Sequence, residues 1–367
     1  MNIEKFLRPS SLRAVSLCEG RALLEAHVVG LDGEPKSSSV ADLGTDLHSR
    51  IQVGIESVKS GATWDDAIER ACLLAQEEGV DSWSIYCIRF SLQTAKELIA
   101  KHSIDLENVL TEQVIEMSSM GFTKGGTADL VLLVPYKLAI VVDWKLGFAD
   151  QGDAEDHDQL AIYGSAAAEA YKVSQVIVVL CQPRAEKENR ITQASFDADT
   201  LRKNAAWTRS VINLARAENP TLTAGYEQCK FCRALHRCPE VRKKIMDAQE
   251  ALAVIGHPLD NDGFGELADV AKLADKFAEA GKDLAKQRLE SGGGCTGWKL
   301  GNPRAIRTVM NVPAAIQKLE AAGYGTEVMD AVSLSFSKLT PVAAALIADQ
   351  VSEKLSSPPL TQEKGRK

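Results

Sequence analysis

Two aspartates and a lysine within GTADLVLLVPYKLAIVVDWKLG (126–147) have the types and spacing to work on a phosphodiester. The stretch reads as two apolar strands around a turn at Pro135–Lys137. With the turn centred on Tyr136, residues that oppose each other have numbers summing to 272, and Asp129 and Asp143 meet that sum. Opposed Cβ atoms in such a pair lie about 5 Å apart, and like charges there destabilise a sheet unless something neutralises them. A divalent cation is the simplest neutraliser, and oxygen ligands suit magnesium or manganese. Lys145 lies two residues beyond Asp143, so the strand period places it on the same face. A cation in that setting would polarise a phosphoryl oxygen and lower the pKa of a water, while the lysine orients that water or stabilises the charge that develops. The alternative is a solvated hairpin face that happens to carry two acids and a lysine, and a one-residue slip of the turn would break the pairing.

Further residues bear on that alternative. His48 follows Gly44 by four residues on a predicted helix, beside Leu47 and Ile51. It is expected as a ligand at the rim of the acidic site, or else as a boundary residue, and Gly44 is expected to let another backbone come close. Gln159 and Tyr163, spaced i, i+4 on the helix after the DWK strand, share a face and could support Lys145 or a phosphate.

Cys229-x2-Cys232-x5-Cys238 has the spacing of a ligand array. Three thiolates need a fourth partner, for which Cys18 is the best candidate. That set would close a loop of about 210 residues, and loop-closure entropy favours a large stabilisation. A tetrahedral zinc on the same cysteines, or on three of them with His236, is the rival. Cys72, Cys87, Cys181 and Cys295 read as small core residues. The array is basic, with Lys230, Arg233, His236, Arg237, Arg242, Lys243 and Lys244. It reads either as a phosphate-tracking patch or as a solvated helix face.

The elements that must hold these groups follow from periodicity. Helices are expected at 9–27 with Ser10 as N-cap, 42–59, 64–78 and 82–102, with a loop at 28–40. Strands follow from Glu112 through the hairpin. A helix at 157–172, a strand at SQVIVVLCQP buried on both faces, and a helix at 198–217 come next. The order β-β-α-β flanked by helices says α/β or α+β with a mixed sheet. Beyond about 245 the character changes: an amphipathic helix at 263–290, strands in WKLGNPRAIRTVM, a helix in VPAAIQKLEAAGYG, a last helix opening at Thr340-Pro341, and a basic disordered tail at 354–367.

At 367 residues there is room for two domains. With 45% hydrophobic and 25% charged residues the chain is neither disordered nor a coiled-coil rod. Membrane association is not expected, because no apolar run reaches membrane-spanning length. The start, MNIEKFLRPSSLRAV, lacks the apolar core of a signal peptide, which suggests a cytoplasm. A net charge of −8 argues against a protein that coats nucleic acid non-specifically, but leaves room for a local basic groove. Without a Gly-Lys-Ser/Thr phosphate loop, helicase activity within the chain is not expected.

Taken in order, Gly44-x3-His48, Gly126-x2-Asp129, Asp143-Trp144-Lys145 and Gln159-x3-Tyr163 resemble the PD-(D/E)XK nuclease superfamily in its RecB-like branch. The resemblance covers roughly residues 8–245. It implies a restriction-endonuclease-like mixed central sheet flanked by helices. His48, Asp129 and Asp143 become metal ligands with the Trp144 main-chain carbonyl, Lys145 the catalytic lysine, and Gln159 and Tyr163 accessory residues. Asp143 stands where many members carry glutamate. Glu112 falls where related nucleases sometimes carry an acid, and is expected only in a supporting position behind the ligands. The cysteines resemble the iron–sulfur clamp of CRISPR-associated RecB-like exonucleases and of AddB-type helicase–nucleases. That implies Cys18, Cys229, Cys232 and Cys238 around a [4Fe–4S] cluster.

The function so implied is a Mg²⁺- or Mn²⁺-dependent DNA nuclease, an exonuclease on single strands or ends, with Lys230, Arg233 and Arg237 on DNA. The expected organisation is a nuclease domain at 1–245, a smaller, mostly helical accessory domain at 246–350, and the tail at 351–367. The accessory region resembles the C-terminal part of phage- and prophage-encoded RecB-like proteins. This suggests a role in recombination, replication or DNA degradation in a bacterial host cell, beside a helicase, recombinase or single-strand-binding partner or a second copy of the chain. The alternative of another class is a non-catalytic DNA-end-binding accessory protein; an acidic pair facing DNA argues against it.

Overall fold

A computed structural model describes residues 2–33, 39–147, 151–186, 190–253 and 261–300, and the single positions 316, 317 and 321. Two compact units divide the chain. One comprises Met1–Cys72 and Cys87–Ile306; the other comprises Leu73–Tyr86 and Arg307–Lys367.

Among the described residues the first unit carries five strands, β1 (Val109–Ile115), β2 (Gly126–Val134), β3 (Leu138–Trp144), β4 (Gln175–Cys181) and β5 (Ile191–Phe196), in the order β1-β2-β3-β4-β5. The β1–β2, β2–β3 and β4–β5 pairs are antiparallel and β3–β4 is parallel, so the sheet is mixed. The parallel step needs a crossover, and the helix α6 (Asp158–Ala170) supplies it, packing on β3 and β4. The fold class is α+β, with helices flanking the sheet.

The hairpin takes the register expected of it. Leu130 pairs with Val142, Val131 with Val141 and Leu132 with Ile140, around a turn in which Tyr136 adopts a left-handed φ of 60°. Leu130, Leu132, Ile140 and Val142 are fully buried on one face and Val131, Ala139 and Val141 on the other, so the hairpin is covered on both sides.

Before the sheet come α1 (Leu12–Leu17), α2 (Arg21–Asp32), α3 (Ser39–Lys59), α4 (Trp64–Glu77) and α5 (Ser82–Lys101); after β5 come α7 (Ala198–Ala215), α8 (Tyr226–Cys229), α9 (Pro239–Ala253) and α10 (Asn261–Glu290). The single helix expected at 9–27 is broken. Cys18 leaves the helical region (φ −149°, ψ 90°), and the chain restarts at Arg21. A Cβ on Gly20 would come within 2.9 Å of the Pro220 carbonyl oxygen, so the break lets this corner press against the 220–222 segment. Ser10 is not the N-cap: Pro9–Ser11 forms a 3-10 turn, closed by Ser11 Oγ donating to the Phe6 carbonyl. The expected loop from residue 28 begins only after Asp32.

In the second unit Asp81 caps the start of α5 by accepting from the Trp83 and Ser84 N–H groups, and the Trp83 and Tyr86 rings meet edge to face at 5.6 Å. The strands expected in WKLGNPRAIRTVM lie outside the described residues from position 301 on. So do the last helix at Thr340, the tail at 354–367 and all but isolated positions of VPAAIQKLEAAGYG. Among the described residues no helix is long and apolar enough to cross a membrane.

Candidate metal centre

Sheet register draws the acids into one row. Thr111 pairs with Leu130 and Gln113 with Ala128, so Glu112 falls opposite Asp129 on β1–β2. On β2–β3 the position after Leu130–Val142 sets Asp129 opposite Asp143. The paired register stops at Leu130–Val142, and beyond it Trp144 N–H donates to Asp129 Oδ2 at 2.7 Å. Glu112 has a left-handed φ of 45°, uncommon for a non-glycine residue in a strand.

His48, on α3, completes the group. Its Nδ1 lies 3.3 Å from Asp129 Oδ1 and 4.0 Å from Glu112 Oε1. Thr111 Oγ1 donates to Glu56 Oε1 of α3 at 2.6 Å, which ties that helix to β1 and so places His48 over the row. Among the described residues His48, Glu112 and Asp129 are the set of three that brings possible ligand atoms within 4.8 Å of one another. Sequence reasoning placed Glu112 behind the ligands; the register makes it the outer member of the row. That register depends on the length of the 116–125 connection, which carries no periodicity to read.

On the other side of Asp143 stands Lys145, its Nζ 2.7 Å from Asp143 Oδ2 and 3.0 Å from Gln159 Oε1. Gln159 Nε2 donates back to Asp143 Oδ1 at 3.3 Å. The i, i+4 face expected of Gln159 and Tyr163 is therefore the face turned to the acids. Gly126 makes the room: a Cβ there would meet the Tyr163 ring at 2.9 Å and Met117 Cε at 2.9 Å. Gly44 has no such neighbour, for a Cβ there meets nothing within 4 Å among the described residues, so the expected close approach is absent.

The electrostatics follow from this crowding. Burial, with Asp129 nearby, raises the Asp143 carboxyl, and Lys145 offsets part of the rise. Burial and then Asp129 likewise raise Glu112. Burial pulls the His48 imidazole down, but its bond to Asp129 and the three carboxylates outweigh that and raise it. Burial and the acids raise the Tyr163 phenol, which stays protonated. At the start of α6, burial and Lys145 push His157 down to about 4, so it is neutral at neutral pH. The site gathers acceptors around one cationic lysine, a donor set suited to a hard divalent cation.

The four cysteines of the array come into one region. Cys229 and Cys238 pack with Leu235, Val241 and Leu273 of α10, and Cys232 packs against them. Cys18 Sγ accepts from the Thr223 N–H at 3.3 Å. Burial raises the Cys18, Cys229 and Cys232 thiols, with Cys238 adding to the first two and Glu25 to the third. Cys72, Cys87 and Cys181 are buried as expected; Cys295 is half-buried and not a core residue.

A buried ion pair that sequence reading passed over grips the array. Arg21 Nη2 lies 3.3 Å from Glu25 Oε1, both side chains being under a tenth exposed. Arg21 also donates to the Gln228 and Phe231 carbonyls at 3.0 and 3.1 Å, and Glu25 accepts from the Arg233 N–H at 2.8 Å. Opposite charges i, i+4 directly after Cys18 are the signal that could have revealed it. Of the expected DNA contacts, Lys230 pairs with Glu227 at 2.8 Å and the Arg233 guanidinium lies 5.8 Å from the Phe6 ring centre. Arg237 lines a shallow cavity of about 310 Å³ with Pro239, Arg242, Lys243, Met246 and Asp247.

The chain matches the family described as protein of unknown function DUF2800 over residues 6–362, and belongs to it. Among curated proteins none matches. A solved structure described as "Crystal structure of SSO0001" is similar at 20% identity over 60% of this chain and 95% of that one, with a TM-score of 0.22, too low to assign a fold.

Proposed function

We propose that this DUF2800 member is a divalent-cation-dependent DNA nuclease of the PD-(D/E)XK superfamily, RecB-like branch, acting on single strands or DNA ends. The observation that carries the reading is the row Glu112–Asp129–Asp143, with His48 at one end and Lys145 at the other. Like charges so placed cost stability unless a cation sits among them. A protein that only bound DNA would gain nothing by turning them toward a polyanion.

His48, Glu112, Asp129 and Asp143, with the Trp144 carbonyl, would hold one or two Mg²⁺ or Mn²⁺ ions, which polarise the phosphoryl oxygen and lower the pKa of a water when bound. Lys145, held by Gln159 and Asp143, orients that water and balances the charge growing on the phosphate. Tyr163, kept protonated beside Gln159, would offer a hydrogen-bond donor to the site. His157, neutral beside Lys145, adds no competing charge. The five-stranded sheet serves as a restriction-endonuclease-like core. Cys18, Cys229, Cys232 and Cys238 would carry a structural [4Fe–4S] cluster, with zinc the rival. The Arg21–Glu25 grip supports this placement, since it fixes the array's backbone to α2. Residues 246–350 would form the accessory region, in a phage-derived recombination or degradation role.

The test is cleavage of end-labelled single-stranded DNA with Mg²⁺ or Mn²⁺ by the wild type, Asp143→Ala and Lys145→Ala. Loss of cleavage with DNA binding retained supports the enzyme. Undiminished cleavage by both variants overturns the site.

A further inference from the structure

Phe231 is 78% exposed, yet its backbone is held in place. Its carbonyl accepts from buried Arg21, and the next residue closes a turn, Cys232 N–H to the Cys229 carbonyl at 2.9 Å. One exposed ring alone is ordinary; what sets Phe231 apart is the company it keeps.

Its neighbours are cationic and aromatic in alternation. Lys230 Nζ lies 5.8 Å from the centres of both the Phe231 and the Tyr226 rings, and Lys272 Nζ of α10 lies 5.5 Å from the centre of the Tyr226 ring. The order is Phe231, Lys230, Tyr226, Lys272. Glu227 pairs with Lys230, and Lys276, which also acts on Tyr226, pairs with Glu279 at 2.7 Å. The segment then continues through Arg233, Arg237, Arg242, Lys243 and Lys244 on a chain whose net charge is −8.

We propose that this strip is a seat for single-stranded DNA, with an unpaired base stacked on Phe231 and the backbone phosphates drawn to Lys230 and Lys272. Stacking on an aromatic face needs a base free of its partner, while lysine side chains beside it supply sequence-independent attraction for phosphates. The strip would thus favour single strands over duplex. The choice of DNA as occupant rests on the nuclease reading above.

Anisotropy of a fluorescent oligodeoxythymidylate, titrated with the full chain in EDTA so that no strand is cut, separates the two claims. Phe231→Ala should bind the single strand about tenfold more weakly or worse, with an unchanged salt slope and unchanged melting temperature. Its affinity for a duplex of equal length should hold. Phe231→Trp should restore binding and report it by quenching of the new indole. Lys272→Ala should instead lower the salt slope. Wild-type affinity in Phe231→Ala, or equal losses on single strand and duplex, overturns the proposal. Because no cleavage is read, a chain that binds this way but never cuts DNA would refute the nuclease and leave the strip standing.

Discussion

Glu112 sits between the Thr111–Leu130 and Gln113–Ala128 pairs, a carboxylate oxygen within 4.8 Å of one on Asp129, at a backbone angle, φ 45°, that side chains seldom adopt in a strand. The pair carries the acidic row out to His48, 4.0 Å from Glu112.

That pairing has a sign in pH. Glu112 and Asp143 are raised above their ordinary values, so the fold holds these protons more tightly than the unfolded chain does. Their contribution to stability is present at low pH and is lost as pH climbs through the carboxylate range and past the folded value. His48, also raised, stabilises below its ordinary 6.5 and ceases to as pH rises through its folded value. Metal-free protein therefore weakens toward alkaline pH. Glu112→Gln should melt higher than wild type at pH 8 in EDTA, by up to about 1 kcal/mol, with the difference vanishing near pH 4. Added Mn²⁺ should stabilise the wild type more than the variant. Thermal melts across pH check both signs.

Gly126 is there for Tyr163. Gly126→Ala would put a methyl group into the Tyr163 ring and Met117, at a cost of about 1–3 kcal/mol. Cleavage should fall further than stability does, because Tyr163 and Gln159 share a face. A variant with full cleavage and an unmoved melting point would show that the ring has slack.

Much of this was legible in sequence. The hairpin register followed from the position of a three-residue turn, and Asp129, Asp143 and Lys145 from strand period alone. Gln159 and Tyr163 followed from helix period. What was hidden depended on contacts distant along the chain. ITQASF drew no expectation of structure, yet it pairs antiparallel with β4 as edge strand β5. Glu112 depended on an aperiodic connection. The break at Cys18–Gly20 arises from the 220–222 segment, some two hundred residues away.

The Arg21–Glu25 grip should be a large part of what holds the cysteine segment. Breaking a buried pair by removing one partner costs about 3–5 kcal/mol. Arg21→Ala and Glu25→Ala should each approach that in urea melts, and the double variant should cost less than their sum. Single losses under about 1 kcal/mol would mean that the carbonyl bonds, not the ion pair, do the holding.

Protein purified without air should be brown if the four thiols hold an iron–sulfur cluster. Cys229→Ser should be pale and less stable. A colourless wild type with one zinc per chain, lost in the same variant, would decide for the rival metal.

The most direct measurement is a crystal structure with Mn²⁺ and a short single strand, read by anomalous scattering. The account places manganese between Asp129 and Asp143, in direct contact with both carboxylates, with Lys145 turned to the scissile phosphate. Manganese elsewhere, or carboxylates that point apart around an empty row, would contradict it.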